Sequence, residues 1–87
     1  MKYFAAFLKM QDVEKNRELR PQHLEFLDAN KESIFARGPF RDGAGGLVIY
    51  TAETLEEASA LARRDPYVVH GARSLEVHEW DVKLKTQ

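Results

Sequence analysis

Residues 2–9 are apolar or aromatic at nearly every position. In an extended chain Tyr3, Ala5 and Phe7 point one way and Phe4, Ala6 and Leu8 the other, which predicts a strand covered on both faces. Residues 12–18 are polar and read as a loop or a short helical lead-in. A helix is predicted from Pro21, whose missing N–H suits a first helical turn. Leu24, Phe26, Leu27 and Ile34 form its apolar stripe, with His23 on the border of that stripe. Residues 34–40 read as a second strand, and Pro39, which cannot donate to a ladder, marks it as an edge. Asp42-Gly43-Ala44-Gly45 predicts a hairpin connection, and residues 46–51 a strand apolar on both faces. Thr54-Leu55-Glu56-Glu57 has the spacing of a capping box. The helix it opens turns Leu55, Ala58, Leu61 and Ala62 inward and ends near Arg63-Arg64, cations suited to a helix C-terminus. Residues 73–82 alternate as a last strand, Leu75 and Val77 against Glu76, His78 and Trp80.

The resulting order is βαββαβ, the ferredoxin-like pattern of the α+β class, with a four-stranded antiparallel sheet. In that topology the first and third strands are central and the second and fourth are edges. The residues agree independently: the two strands that are apolar on both faces are the first and third, while the proline and the charges fall on the other two. Two helices cover one face of such a sheet. The second apolar face then needs a partner, since an exposed patch of that kind marks an interface. A homodimer, sheet against sheet, is the expected assembly.

The chain has 87 residues, read as one domain over 1–87. At this size a fold buries only roughly two-thirds of its unfolded surface. There is no cysteine to add disulfides or a cysteine-based metal framework, so oligomerisation is the remaining common source of buried area. The formal net charge is −1 with both signs interspersed, which argues against a nucleic-acid surface and a polybasic membrane patch. No secretory signal is visible, and nothing approaches the ~20 apolar residues of a membrane span. A cytoplasmic location is expected, with which the lack of cysteine is compatible.

Two short sites carry ionisable groups beside a proline: Arg20-Pro21-Gln22-His23 and Asp65-Pro66-Tyr67. Brought together, they make a His–Asp dyad, the one evident proton-transfer unit in the chain. An unperturbed imidazole titrates near ~6.5, so His23 can exchange a proton at neutral pH. Asp65 can orient the ring and stabilise the imidazolium. Each residue also has a plainer reading, His23 as a packed histidine with one hydrogen bond and Asp65 as a helix N-cap. Ser33, Ser59 and Ser74 lie outside both sites, so no nucleophile accompanies the pair and covalent acyl transfer is disfavoured. A base without a nucleophile suits proton abstraction, tautomerisation or elimination.

Arg20, three residues before His23, can hold a carboxylate or phenolate, or can pair at the surface with Glu18 or Glu25. Tyr67 can line a pocket or serve as a core aromatic. Gly38 and Gly46 suit a bulge or a close backbone approach, Arg37 and Arg41 read as solvated edge charges, and Trp80 as interface packing. His23, His70 and His78 lack the spacing of a metal motif, though a site assembled by folding from His23 and Asp65 stays open. No phosphate-binding loop precedes a helix, and no cofactor is called for.

The series Arg20-Pro21-Gln22-His23-Leu24, Gly38-Pro39, Gly46-Leu47-Val48-Ile49 and Asp65-Pro66-Tyr67, with Trp80 near the end, resembles the YciI-like (YCII-related domain) family. The resemblance implies a ferredoxin-like subunit of the dimeric α/β-barrel superfamily. Its site of a His and an Asp maps onto His23 and Asp65, with Arg20, Tyr67, Gly38 and Pro39 as candidate substrate-binding positions. It also implies isomerase, lyase or dehydrochlorinase-like chemistry on a small, often aromatic, compound, in a superfamily that also includes cofactor-free oxidation. The alternative is a non-catalytic domain that holds a small ligand or a protein partner. RNA binding ranks last: the third strand, Gly45-Gly46-Leu47-Val48-Ile49-Tyr50, lacks paired stacking aromatics and a leading basic residue.

Overall fold

The computed structural model describes residues 1–86. Four strands, β1 (Lys2–Met10), β2 (Ile34–Pro39), β3 (Gly45–Ala52) and β4 (Arg73–Glu79), form one antiparallel sheet in the order β2-β3-β1-β4. Three α-helices accompany it: α1 (Val13–Ala29), α2 (Leu55–Ala62) and α3 (Pro66–Val69). The fold is the ferredoxin-like α+β arrangement, with β1 and β3 in the centre and the proline-bearing β2 at an edge. Ala6, Leu8, Val48 and Tyr50 point from the central strands into a core closed by Leu27 of α1 and Ala62 of α2. Tyr3, Ala5 and Phe7 occupy the opposite face and stay half-buried. No helix among the described residues is long and apolar enough to cross a membrane.

The main departure from expectation is α1. Its 17 residues begin at Val13 rather than Pro21, so of the two readings of residues 12–18 the helical one holds, and it is two turns of α1 behind an Asp12 cap. The start is polar: the Asp12 side chain accepts from the Lys15 N–H at 3.0 Å, an N-cap. Glu14 sits in the first turn and takes both of its carboxylate oxygens to Arg17 at 2.8–2.9 Å. A start made of caps and surface pairs leaves no apolar stripe to read. Pro21 is therefore interior to the helix, where it withholds the N–H that the Arg17 carbonyl would accept.

Local signals placed the other elements closely. Thr54 Oγ1 accepts from the Glu57 N–H at 3.1 Å, while the Glu57 carboxylate reaches the N–H of Glu53, one residue before the cap. Ala58 and Ala62 face the core, but Leu55 is 42% exposed, at the rim of a surface groove that it shares with Leu75 and Val77. β4 ends at Glu79, so Trp80 falls outside the strand. The β2–β3 register shifts between Ile34 and Ala36, not at Gly38, which has open space around it. The close approach expected of a glycine falls on Gly45 and Gly46. At Gly45 φ is +128°, and a Cβ would collide with the Leu8 carbonyl. At Gly46 it would lie 2.7 Å from the Gly38 carbonyl oxygen.

An interior proline costs a helix about 3 kcal/mol relative to alanine. Pro21 is exposed, so Pro21→Ala removes no core contact and restores the missing donor. The variant is expected to unfold at higher urea with an unchanged m-value, with a gain of about 1–3 kcal/mol. A loss of stability would mean that the proline's local geometry is what seats α1.

Candidate functional site

Asp65 is held in place by its own sequence. The following proline restricts it to an extended conformation, seen as ψ 127°. Its carboxylate then caps α3, accepting from the Tyr67 N–H at 3.0 Å, with Pro66 in the first turn. His23 comes from the middle of α1, which packs against α3. His23 Nδ1 lies 2.9 Å from both oxygens of Asp65. The pair is 42 residues apart in sequence, and both side chains are buried, 11% and 1% exposed.

An Asp65 carboxylate that accepts from Nδ1–H fixes the neutral tautomer with its lone pair on Nε2. The His23 ring also stacks on Tyr67, with centroids 4.0 Å apart and planes 21° from parallel. The ring is thus fixed along one edge and over one face, and it borders a cavity of about 90 Å³.

The cavity lies between α1 and the β2–β3 end of the sheet. Leu8, Leu27 and Val48 supply apolar wall; Gly38, Pro39 and Gly46 supply backbone wall. Arg20, Arg37 and Arg73 supply charge. Of the candidate positions, His23, Arg20, Tyr67, Gly38 and Pro39 all line this one space, with Asp65 directly behind the imidazole. Arg20 forms no ion pair with Glu18 or Glu25, and Arg37 belongs to the cavity wall rather than to a solvated edge alone. Tyr67 is both core and lining, only 2% exposed yet adjacent to the cavity. His70 and His78 lie elsewhere, and no cluster of three or more metal-binding side chains occurs among the described residues.

Two participants were not evident beforehand, Arg73 and Asn16. Arg73 opens β4 on the same face as Leu75 and Val77, so a charge on the apolar side of the alternation was the available signal. Its Nε donates to Asn16 Oδ1 at 2.8 Å, and its guanidinium carbon sits 4.3 Å from the centre of the Tyr67 ring. Asn16 lies in the polar segment read as a loop or a short helical lead-in, where nothing marked a face. Burial raises the Tyr67 phenol's pKa above its ordinary value. Arg73, Arg20 and the neighbouring Asn16 act against that rise. Burial lowers the pKa of Arg73.

The comparisons with known proteins agree with this architecture. The family model for the YCII-related domain matches residues 1–81. The chain belongs to the YCII-related domain family. Within it, the chain is 35% identical over 83 residues to the uncharacterized protein YjpA of Bacillus subtilis (strain 168), covering 93% of this chain and 98% of that protein. Among solved structures, it resembles the 5-chloro-2-hydroxyhydroquinone dehydrochlorinase TftG of Burkholderia phenoliruptrix AC1100, in complex with 2,5-dihydroxybenzoquinone. The TM-score is 0.80 at 22% identity, over 93% of this chain and 95% of that one, a likeness of fold.

Behind the dyad of this YCII-related domain, Tyr50 carries a buried hydroxyl with no hydrogen-bond partner. Burial, and then the charge of Asp65, push its pKa up. The folded protein keeps this phenol neutral where an unfolded chain ionises above pH ~10. The associated stability is complete below pH ~10 and is lost as the pH rises beyond it. Tyr50→Phe is expected to be as stable as wild type at pH 7, or more so by about 1–2 kcal/mol. Its stability should also fall less steeply above pH ~10 in denaturant titrations.

Proposed function

We propose that this site is a proton-transfer centre for a small molecule, with His23 as general base and Asp65 as the group that orients it. The observation that carries the reading is the His23 Nδ1 contact with both Asp65 oxygens at 2.9 Å, which leaves Nε2 for the cavity. The chemistry is elimination or isomerisation. Nε2 takes a proton from the substrate, and the freed electron pair either expels a leaving group or is reprotonated at another atom. The proton on the imidazolium, stabilised by Asp65, is then returned to product or solvent. No outside oxidant or reductant enters this balance. The dehydrochlorinase activity of the structural neighbour supports elimination as the first reaction to test.

The test follows chloride release from 5-chloro-2-hydroxyhydroquinone and, across small keto and hydroxy acids, exchange of C–H for deuterium. His23→Ala is expected to abolish the activity in the folded protein and to lower the melting temperature, because the buried Asp65 carboxylate loses a partner. Asp65→Asn, which removes the charge that supports the imidazolium and the correct tautomer, is expected to reduce kcat by roughly 10²–10⁴. The rate should fall in acid, since a protonated imidazole has no lone pair to offer. Turnover that persists in His23→Ala would remove the base assignment.

We also infer that the protein works as a homodimer, packed through the sheet face opposite the helices. Tyr3 and Phe35 meet edge to face at 4.9 Å there, and Phe7 and Phe40 at 5.7 Å, although Phe35 and Phe40 are 44% and 36% exposed. Trp80, 44% exposed, borders the same apolar groove as Leu47 and Ile49. A second copy of this face supplies what such a patch lacks. Sedimentation equilibrium should give twice the chain mass at micromolar concentration; a monomer there would refute the arrangement.

A further inference from the structure

Among the described residues, Arg73 is the one buried cation outside the dyad. It is 9% exposed, and none of the ion pairs among the described residues includes it. Its Nε is engaged by Asn16, and its face lies against Tyr67. Its Nη1 extends to Gly46, where a Cβ would come within 3.2 Å of it. Gly46 therefore leaves the room that this end of the guanidinium occupies at the cavity wall.

A buried guanidinium without a carboxylate is costly unless something else supplies the negative charge. The aromatic face of Tyr67, one amide oxygen and the unbonded but nearby charge of Asp65 supply part of it. The cavity itself offers none: its lining holds Arg20, Arg37 and Arg73 and no carboxylate, while Asp65 sits behind His23 and is committed to it. A concave site lined by one sign of charge over apolar walls selects the opposite sign. Planar guanidinium groups match planar oxyanions by paired, charge-assisted hydrogen bonds.

We propose that Arg73, with Arg20 and Arg37 at the mouth, is the anion-recognition element of this site, and that its ligand is a small, planar, delocalised oxyanion. The inference rests on the reading of the site as one for a small molecule and names that molecule's class. Size narrows it further. The cavity of about 90 Å³ is smaller than the ~150 Å³ that encloses benzene, so it takes a carboxylate or the oxygen-bearing edge of one ring and leaves the remainder at the mouth. Proton removal by His23 leaves negative charge on an enolate or phenolate oxygen, and holding that charge raises the acidity of the C–H or O–H that lost the proton. Arg73 is placed to hold it.

The experiment measures binding by calorimetry, with no turnover, of 2,5-dihydroxybenzoquinone, benzoate and uncharged hydroquinone. The quinone is ionised at neutral pH, and benzoate separates an enol-type from a carboxylate-type ligand. Wild type is expected to bind at least one of the two anions in preference to hydroquinone. Arg73→Gln should lose roughly 10–100-fold of that preference, with Arg73→Lys recovering part of it. Arg20→Gln and Arg37→Gln should have smaller effects that fade with added salt, whereas the exposure of Arg73 is too low for salt to screen it as fully. Equal affinity of wild type for anions and hydroquinone, or no binding of either anion at millimolar concentration, overturns the inference without any variant. A preference that survives in folded Arg73→Gln overturns it too. The two readings fail separately. Turnover that survives His23→Ala removes the base and leaves charge selection standing; missing charge selection removes the anion site and leaves the base standing.

Discussion

The site depends on a single buried carboxylate. Asp65 is wholly inaccessible, and an unpartnered charge there would cost several kcal/mol. Its oxygens are satisfied by His23 Nδ1 and by the N–H of Tyr67. One group thus caps α3, ties α3 to the middle of α1 and fixes the orientation of the imidazole. Because the same turn projects Tyr67 two residues later, the cap also sets the ring on which His23 stacks and against which Arg73 lies. Removing the carboxylate would disturb a helix start, an inter-helix link and an aromatic stack together.

Several unfavourable features gather around this centre. Pro21 interrupts the hydrogen bonds of α1 two residues before His23. The Tyr50 hydroxyl is buried without a partner, and Arg73 is buried without a carboxylate. Elsewhere the fold is locally consistent: caps at Asp12 and Thr54, alternating strands, and glycines where backbones meet. Natural proteins concentrate departures from local rules where side chains are held for a task rather than for stability. Of the three, Arg73 lines the cavity itself, Pro21 lies two residues before the lining residue His23, and Tyr50 feels the charge of Asp65.

Charge is also ordered across the site. The negative group is at the back, beneath the imidazole, and the positive groups face the cavity. In the proposed reading, a proton taken by His23 would be stabilised from behind, and negative charge left on a ligand would meet arginine in front.

Much of this was legible in the residues alone. Strands covered on both faces had to be central, and Pro39 had to lie at an edge, because pleat periodicity and missing donors are local properties. The Asp65-Pro66-Tyr67 turn was equally local, and the pairing of His23 with Asp65 was stated as a condition on the fold. The N-terminal half of α1 was not legible, since its stability comes from a cap and an exposed Glu14–Arg17 pair rather than from an apolar stripe. For the same reason Pro21 passed for a helix start.

What the sequence by itself determined was the order of elements, the central strands and the capped turn that carries Asp65, all consequences of short-range sterics and periodicity. Only the tertiary structure decided that a 42-residue separation in sequence closes to 2.9 Å between His23 and Asp65. It alone also turned Arg73 from a strand-end charge into a buried cation facing the cavity. Both outcomes depend on α1, α3 and β4 converging, and burial and electrostatic partnership exist only once distant segments share the same low-dielectric space.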